Sequence, residues 1–187
     1  MKYSRKQLIA DVENGKKLKY LFFWGHKASL DGSLRETCFS QWWAGYPFDE
    51  DGISYSTAEH YMMAGKARLF KDEEMLGAII KAGHPDEAKK FGRQVRGFVQ
   101  EEWEAKRTDI VTHGNYLKFS QHPELKAFLL RTGQRVIVEA SPYDHIWGIG
   151  MESKHQHAAQ PINWKGANLL GFCLMEVRDR LMKGETV

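Results

Sequence analysis

The sequence predicts an α+β fold: a mainly helical single domain with a small N-terminal antiparallel β element. Three observations support this. Strand-like stretches come early, helical apolar spacing dominates after residue 56, and the strand–helix–strand alternation of a doubly wound sheet is missing. No repeat or linker divides the chain, so one domain over 1–187 is expected, with a core of about 20–182. Ten Phe, seven Tyr and six Trp supply large groups for that core to bury.

Residues 4–12 read as a short helix stopped by Asn14-Gly15. Residues 19–24 are aromatic-rich and read as a strand, and the polar stretch 27–36 reads as a loop. Asp51-Gly52, between Phe48 and the alternating Ile53 and Tyr55, predicts a hairpin. Ser56 and Glu59 have the Ser-x-x-Glu spacing of a capping box, which starts a helix running to about residue 70. Residues 71–82 and 85–91 are also helical in pattern. A longer helix, 101–119, carries Trp103, Ile110, Gly114 and Leu117 on one stripe. Pro123 opens the next helix and turns Leu125, Phe128 and Leu129 inward. Residues 135–139 form a β-branched strand candidate. The last helix, 167–182, places Leu170, Cys173, Leu174, Val177 and Leu181 at helical spacing.

Composition narrows the function. Twenty-seven basic and 24 acidic side chains leave a net charge of +3, which permits a phosphate-bearing ligand without demanding nucleic acid. Residues 37–48 are the longest stretch without Asp, Glu, Lys or Arg, well short of the roughly twenty apolar residues of a membrane span. The early apolar run Leu8-Ile9-Ala10 is too short for a secretory leader, so a soluble cytoplasmic protein is expected. Cys38 and Cys173 sit in apolar surroundings, where thiols are inert, and two cysteines make no four-thiolate zinc site. No phosphate loop is present, and Gly148-x-Gly150 lacks a third glycine. Glu59-His60 begins like a metalloprotease helix without its second His, and His155-x-His157 has no evident further ligand. No metal or cofactor is expected.

The densest chemistry lies in residues 57–66. Glu59 and Lys66 fall within roughly 20° of each other and about 10.5 Å apart along a helix, with Met62 and Met63 between them. That pair can grip a polar ligand at both ends; the same residues also fit a helix cap and a solvated lysine. In residues 141–150, Asp144 precedes Trp147-Gly148 by three positions, which suits a site that stacks and hydrogen-bonds a flat ring, or an ordinary turn. Residues 163–171 lead into a helix whose N-terminus can hold an anion, or simply begin it. Trp103 lies on an apolar stripe, so core packing is its default role.

Taken in order, these segments resemble the NADAR, or YbiA-like, family over residues 20–181. The resemblance rests on Phe22, Phe39-Ser40, the hairpin, Thr57-Ala58-Glu59-His60-Tyr61 and Lys66. It continues through Phe91-Gly92-Arg93, Trp103, Phe119, His122 to Leu125, Asp144, Trp147-Gly148, Asn168-x-Leu170-Gly171 and Leu174-Met175. The family implies a metal-independent N-glycosidase acting on the C1′–N bond of ribosylamino-pyrimidine phosphates of riboflavin biosynthesis, releasing ribose 5-phosphate. Other members remove ADP-ribose from guanine in nucleic acid; a non-catalytic module for ADP-ribose or an NAD-related nucleotide is the third possibility. The resemblance implies catalytic roles for Glu59, Asp144, Lys66 and Trp103, and substrate binding by Trp24, Trp147, Gly148 and Asn168. Glu59 is expected at the sugar and Asp144 at the base or its leaving nitrogen, with the reverse open. Lys66 is expected to bind phosphate or attack C1′ as an amine. The implied partner is a small phosphorylated ribosyl substrate, with ADP-ribosylated nucleic acid as the alternative. Gln41, Ala58, Gly65 and Ile149 depart from the common family pattern, and the loop 25–38 is longer than in compact bacterial members. These changes near the inferred site bear on substrate choice.

Overall fold

The computed structural model describes residues 1–185. The chain runs through helix α1 (Arg5–Glu13), strand β1 (Tyr20–Phe23), a 3-10 turn (Glu36–Phe39), and strands β2 (Phe48–Glu50) and β3 (Ile53–Tyr55). Helices α2 (Ala58–Leu69), α3 (Glu73–Lys81), α4 (Pro85–Arg93), α5 (Gln100–Gln121) and α6 (Pro123–Leu130) follow. Strand β4 (Val136–Glu139), a second 3-10 turn (Pro161–Asn163) and helix α7 (Leu169–Lys183) complete it. Among the described residues no helix is long and apolar enough to cross a membrane.

The hairpin forms where the sequence places it. Strands β2 and β3 pair antiparallel with Phe48 opposite Tyr55, and the turn residues Asp51 and Gly52 both take positive φ. A second pairing was not legible: β1 and β4 run parallel, with Phe23 opposite Glu139, and the crossover between them contains five helices. Short strands so far apart carry no local signal of each other.

Helix α2 is the centre of the molecule. Ala58 to Ala64 and Ala67 are all buried, because α5, α3 and α4 enclose it. Two glycines set how closely its neighbours approach. A Cβ on Gly114 of α5 would stand 2.3 Å from the Tyr61 ring, and one on Gly92 of α4 would stand 2.1 Å from the Met63 sulfur. Both distances are overlaps, so these positions tolerate no side chain without movement.

The start of α2 corrects the capping-box expectation. Thr57, not Ser56, is the N-cap, and its hydroxyl accepts from the His60 amide at 3.4 Å. Glu59 does not return to the cap; its carboxyl is turned into the interior. His60 is spent on structure: Nδ1 pairs with the Thr57 hydroxyl at 2.8 Å, and Nε2 lies 3.0 Å from the Ala82 carbonyl. A carbonyl only accepts, so Nε2 carries the proton. Burial lowers the His60 pKa and favours the neutral ring.

The apolar positions of α7 are buried at the predicted spacing, while in α6 Leu125 and Leu129 are buried and Phe128 only partly so. Helix α7 starts at Leu169, two residues later than expected, because Asn168 takes a left-handed φ of 55° as its N-cap. The buried Asn168 side chain ties α7 to β4. Its Oδ1 accepts from the Glu139 amide at 3.0 Å, and its Nδ2 donates to the Ile137 carbonyl at 3.0 Å. Removing both bonds from a buried site costs about 2–4 kcal/mol. Urea unfolding of Asn168→Ala should show a loss of that size, and a loss below about 1 kcal/mol would contradict the stitching role.

Candidate active site

The site begins with how the first turn of α2 is held. The Glu59 amide donates to the Gln41 carbonyl at 2.9 Å. Asn115 of α5 donates to Gln41 Oε1 at 2.8 Å, and buried Lys118 donates to the Cys38 carbonyl at 2.7 Å and the Ser40 carbonyl at 3.2 Å. Burial lowers the Lys118 pKa to about 8, and its ammonium lies 5.5 Å from the Trp43 ring centre. Segment 38–42 is therefore pinned by α5 against the start of α2, which fixes Gln41 and Trp42 beside Glu59.

A second group comes from the turn after β4. Asp144 Oδ1 accepts from the backbone amides of Ile146 at 2.8 Å and Trp147 at 2.7 Å, which orients the carboxylate. Oδ2 takes no hydrogen bond from the described residues. Glu139 enters from the end of β4.

These elements enclose a cavity of about 690 Å³, within the range of small-molecule sites. Three carboxyl side chains line it: Glu59, Glu139 and Asp144. Its cations are Lys66, Lys89 and Arg93, and its aromatic walls are Trp24, Trp42, Trp103, Trp147 and Tyr143, with His26 near Trp42. Lys89 and Arg93 are four residues apart on α4 and so share a face. Lys66 donates to the Gly92 carbonyl at 2.7 Å and sits 4.2 Å from the Phe98 ring centre and 6.0 Å from that of Trp103. Burial lowers its pKa.

The carboxyl groups are far from ordinary. Glu59 is 2% exposed, and its Oε1 has no hydrogen-bond partner among the described residues. Desolvation raises its pKa to about 7; Asp144 adds to the rise, while Lys89, the Trp42 indole and Arg93 oppose it. Glu139 Oε2 is likewise buried without a partner. Desolvation, then the charges of Asp144 and Glu59, raise its pKa to about 8 against Lys89. Burial also pushes both thiols up to about 12, so Cys38 and Cys173 remain protonated.

Six of the eight residues named from the sequence meet in this cavity: Trp24, Glu59, Lys66, Trp103, Asp144 and Trp147. Glu59 is no helix cap and Lys66 no solvated surface lysine. Gly148 and Asn168 are not part of the lining. Gly148 is packed between main-chain groups, and a Cβ there would stand 2.9 Å from the Glu139 carbonyl oxygen and 3.0 Å from that of Asp144. Asn168 is spent on β4. Nor is the N-terminus of α7 open to an anion, because the amides of Asn168, Leu169 and Leu170 donate to the carbonyls of Gly148, Ile146 and Trp147.

Sequence reasoning assigned no role to Glu139, Trp42, Lys89, Arg93 or His26. The i, i+4 spacing of Lys89 and Arg93 was an available signal. Glu139 ends a strand whose Val136, Ile137 and Val138 are all buried, so no alternation marked its facing. Of the four departures from the family pattern, only Gln41 lines the cavity; Gly65 faces Ile110, and Ala58 and Ile149 are core residues. His155 and His157 lie in a loop, and no group of three His, Cys, Asp or Glu able to hold a metal ion occurs among the described residues.

Comparison with known proteins identifies the family. The NADAR domain model matches residues 22–182. The chain is 42% identical to N-glycosidase R617 of Acanthamoeba polyphaga mimivirus over 86% of its own length and 95% of that protein's. It is 33% identical to N-glycosidase YbiA of Escherichia coli K12, covering 74% of this chain and 78% of the relative. The solution structure of E. coli YbiA superposes with a TM-score of 0.68 at 31% identity, covering 91% of this chain and 92% of that one. The chain belongs to the NADAR family, and its relatives place it among the hydrolases of N-glycosyl bonds.

Proposed function

We propose that the chain hydrolyses the C1′–N bond of a ribosylamino-pyrimidine phosphate and releases ribose 5-phosphate. The observation that carries this reading is the buried Glu59 carboxyl, whose Oε1 has no partner among the described residues, in a cavity that also holds Asp144, three cations and a set of indole walls. Breaking a C1′–N bond builds positive charge on the sugar and leaves an electron pair on nitrogen. As a carboxylate, Glu59 stabilises that charge or takes a proton from the attacking water. The free Oδ2 of Asp144 hydrogen-bonds the base, and Trp103 and Trp147 wall its flat faces. Lys66, one of whose protons goes to Gly92, has two left for the phosphate at the far end of α2.

A second reading, removal of ADP-ribose from guanine in nucleic acid, draws support from the rim. Trp24 is half-exposed and Tyr143 82% exposed, their ring centres 6.0 Å apart, so an aromatic platform extends the cavity outward for a larger substrate. Release of ADP-ribose from modified DNA, with no release of ribose 5-phosphate from the pyrimidine substrate, would favour it over the first.

Three outcomes test the first reading. Ribose 5-phosphate release should fall about 10²–10⁴-fold in Glu59→Gln; wild-type protein inert toward this substrate would overturn the reading. Stability should move the other way. Because the folded-state pKa of Glu59 is raised from 4.5 to about 7, the folded protein binds more protons than the unfolded chain between those values, and stability is lost as pH rises through about 7. Glu59→Gln should therefore unfold later than wild type at pH 8, by about 1–3 kcal/mol, with the difference shrinking toward pH 5. An unchanged or lower stability at pH 8 would contradict the burial argument. Lys66→Met should raise KM about 10–100-fold with kcat nearly unchanged. Loss of turnover instead, with borohydride trapping sugar on wild type but not on this variant, would make Lys66 the nucleophile.

A further inference from the structure

The third carboxyl of the cavity takes no part in these roles. Glu139 closes β4, and its main chain is fixed on both sides: its amide donates to Asn168 Oδ1 at 3.0 Å, and its carbonyl accepts from Ile149 at 2.9 Å. The side chain lines the cavity, with Oε2 buried and unpartnered among the described residues. An ionised carboxylate so placed would leave a charged oxygen without water or donor. A carboxylic acid there is instead a donor whose acceptor arrives with a ligand.

We propose that Glu139 is a catalytic residue, the general acid that protonates the nitrogen leaving C1′. The assignment rests on the N-glycosidase reading above. As the C1′–N bond breaks, its electron pair goes to nitrogen and the Glu139 proton follows. The oxygen of a water molecule bonds to C1′ and gives its proton to Glu59, and exchange with solvent restores both carboxyl groups. Asp144, its Oδ1 already taken by backbone amides, is left to orient the base.

The surroundings of Glu139 suit an acid. Glu59 from α2 and Asp144 from the following turn face it with like charge; Lys89 from α4 opposes them, and Lys66, Arg93, His26 and Tyr143 complete the ionisable lining. Burial is the largest cause and carries its pKa to about 8, against about 7 for Glu59. Glu59 has Lys89, the Trp42 indole and Arg93 against its rise and Glu139 only Lys89, so Glu59 gives up its proton first and Glu139 keeps its own. Two carboxyl groups pushed apart in this way divide into acid and base.

The test compares wild type, Glu139→Gln and Glu139→Asp in ribose 5-phosphate release from pH 6 to 9.5. Wild-type kcat should fall as pH rises through about 8. Glu139→Gln, checked for folding by circular dichroism, should lose about 10²–10⁴-fold in kcat with KM within a few-fold. Glu139→Asp should keep a measurable part of the rate with its alkaline limb displaced, which a merely structural role would not produce. An active wild type with Glu139→Gln within threefold of it, or with no alkaline limb, overturns the assignment alone. A wild type that releases nothing overturns the function it rests on.

Discussion

The withdrawal of the Glu59 carboxyl from water is the constraint on which the site depends. A carboxylate in a dry interior is costly, and the group responds by holding its proton to higher pH. It stays there because α2 is enclosed by other helices and cannot turn its N-terminal turn outward. Gly92 and Gly114 let α4 and α5 close on α2, and α4 in turn brings Lys89 and Arg93 to the cavity. Those cations offset part of the desolvation without removing it, so Glu59 remains poised near neutrality. The interior of the fold and the chemistry of the site are the same arrangement.

The rest of the site is held by groups that never meet a ligand. Lys118 and Asn115 hold segment 38–42 against Glu59, and Asn168 holds the end of β4 that carries Glu139. Backbone amides fix Asp144, while the lack of a side chain at Gly148 lets that turn close over the carbonyls of residues 139 and 144. Lys118, Asn115 and Asn168 are buried and hydrogen-bonded, which is how a site keeps charged groups aimed at a ligand before it binds.

Most of the helices were legible in the sequence because their cues are local: Pro123 at a helix start, Asp51-Gly52 at the hairpin, and the apolar spacing of α7. Spacing alone left Glu59 open between a helix cap and a ligand contact, since Ser56-x-x-Glu59 satisfies a capping pattern and only tertiary packing decides that Thr57 caps instead; the resemblance is what named it for the site. The parallel β1–β4 pair was hidden by its long crossover, and with it the placing of Glu139. Asn168 and Gly148 lie in motifs that run beside the site, so resemblance named them with the residues that line it. Their contribution is to backbone geometry, which motif order alone does not separate from ligand contact.

Glu59 carries the central claim, and it can be tested without any substrate. Carbon-13 labelling of glutamate carboxyl groups, followed by NMR titration with Glu59→Gln for assignment, reads its proton affinity directly. The Glu59 resonance should titrate near 7, well above the ordinary glutamate value. A Glu59 resonance titrating between about 4 and 5 would mean that water reaches the carboxyl, and the explanation of the site would be wrong.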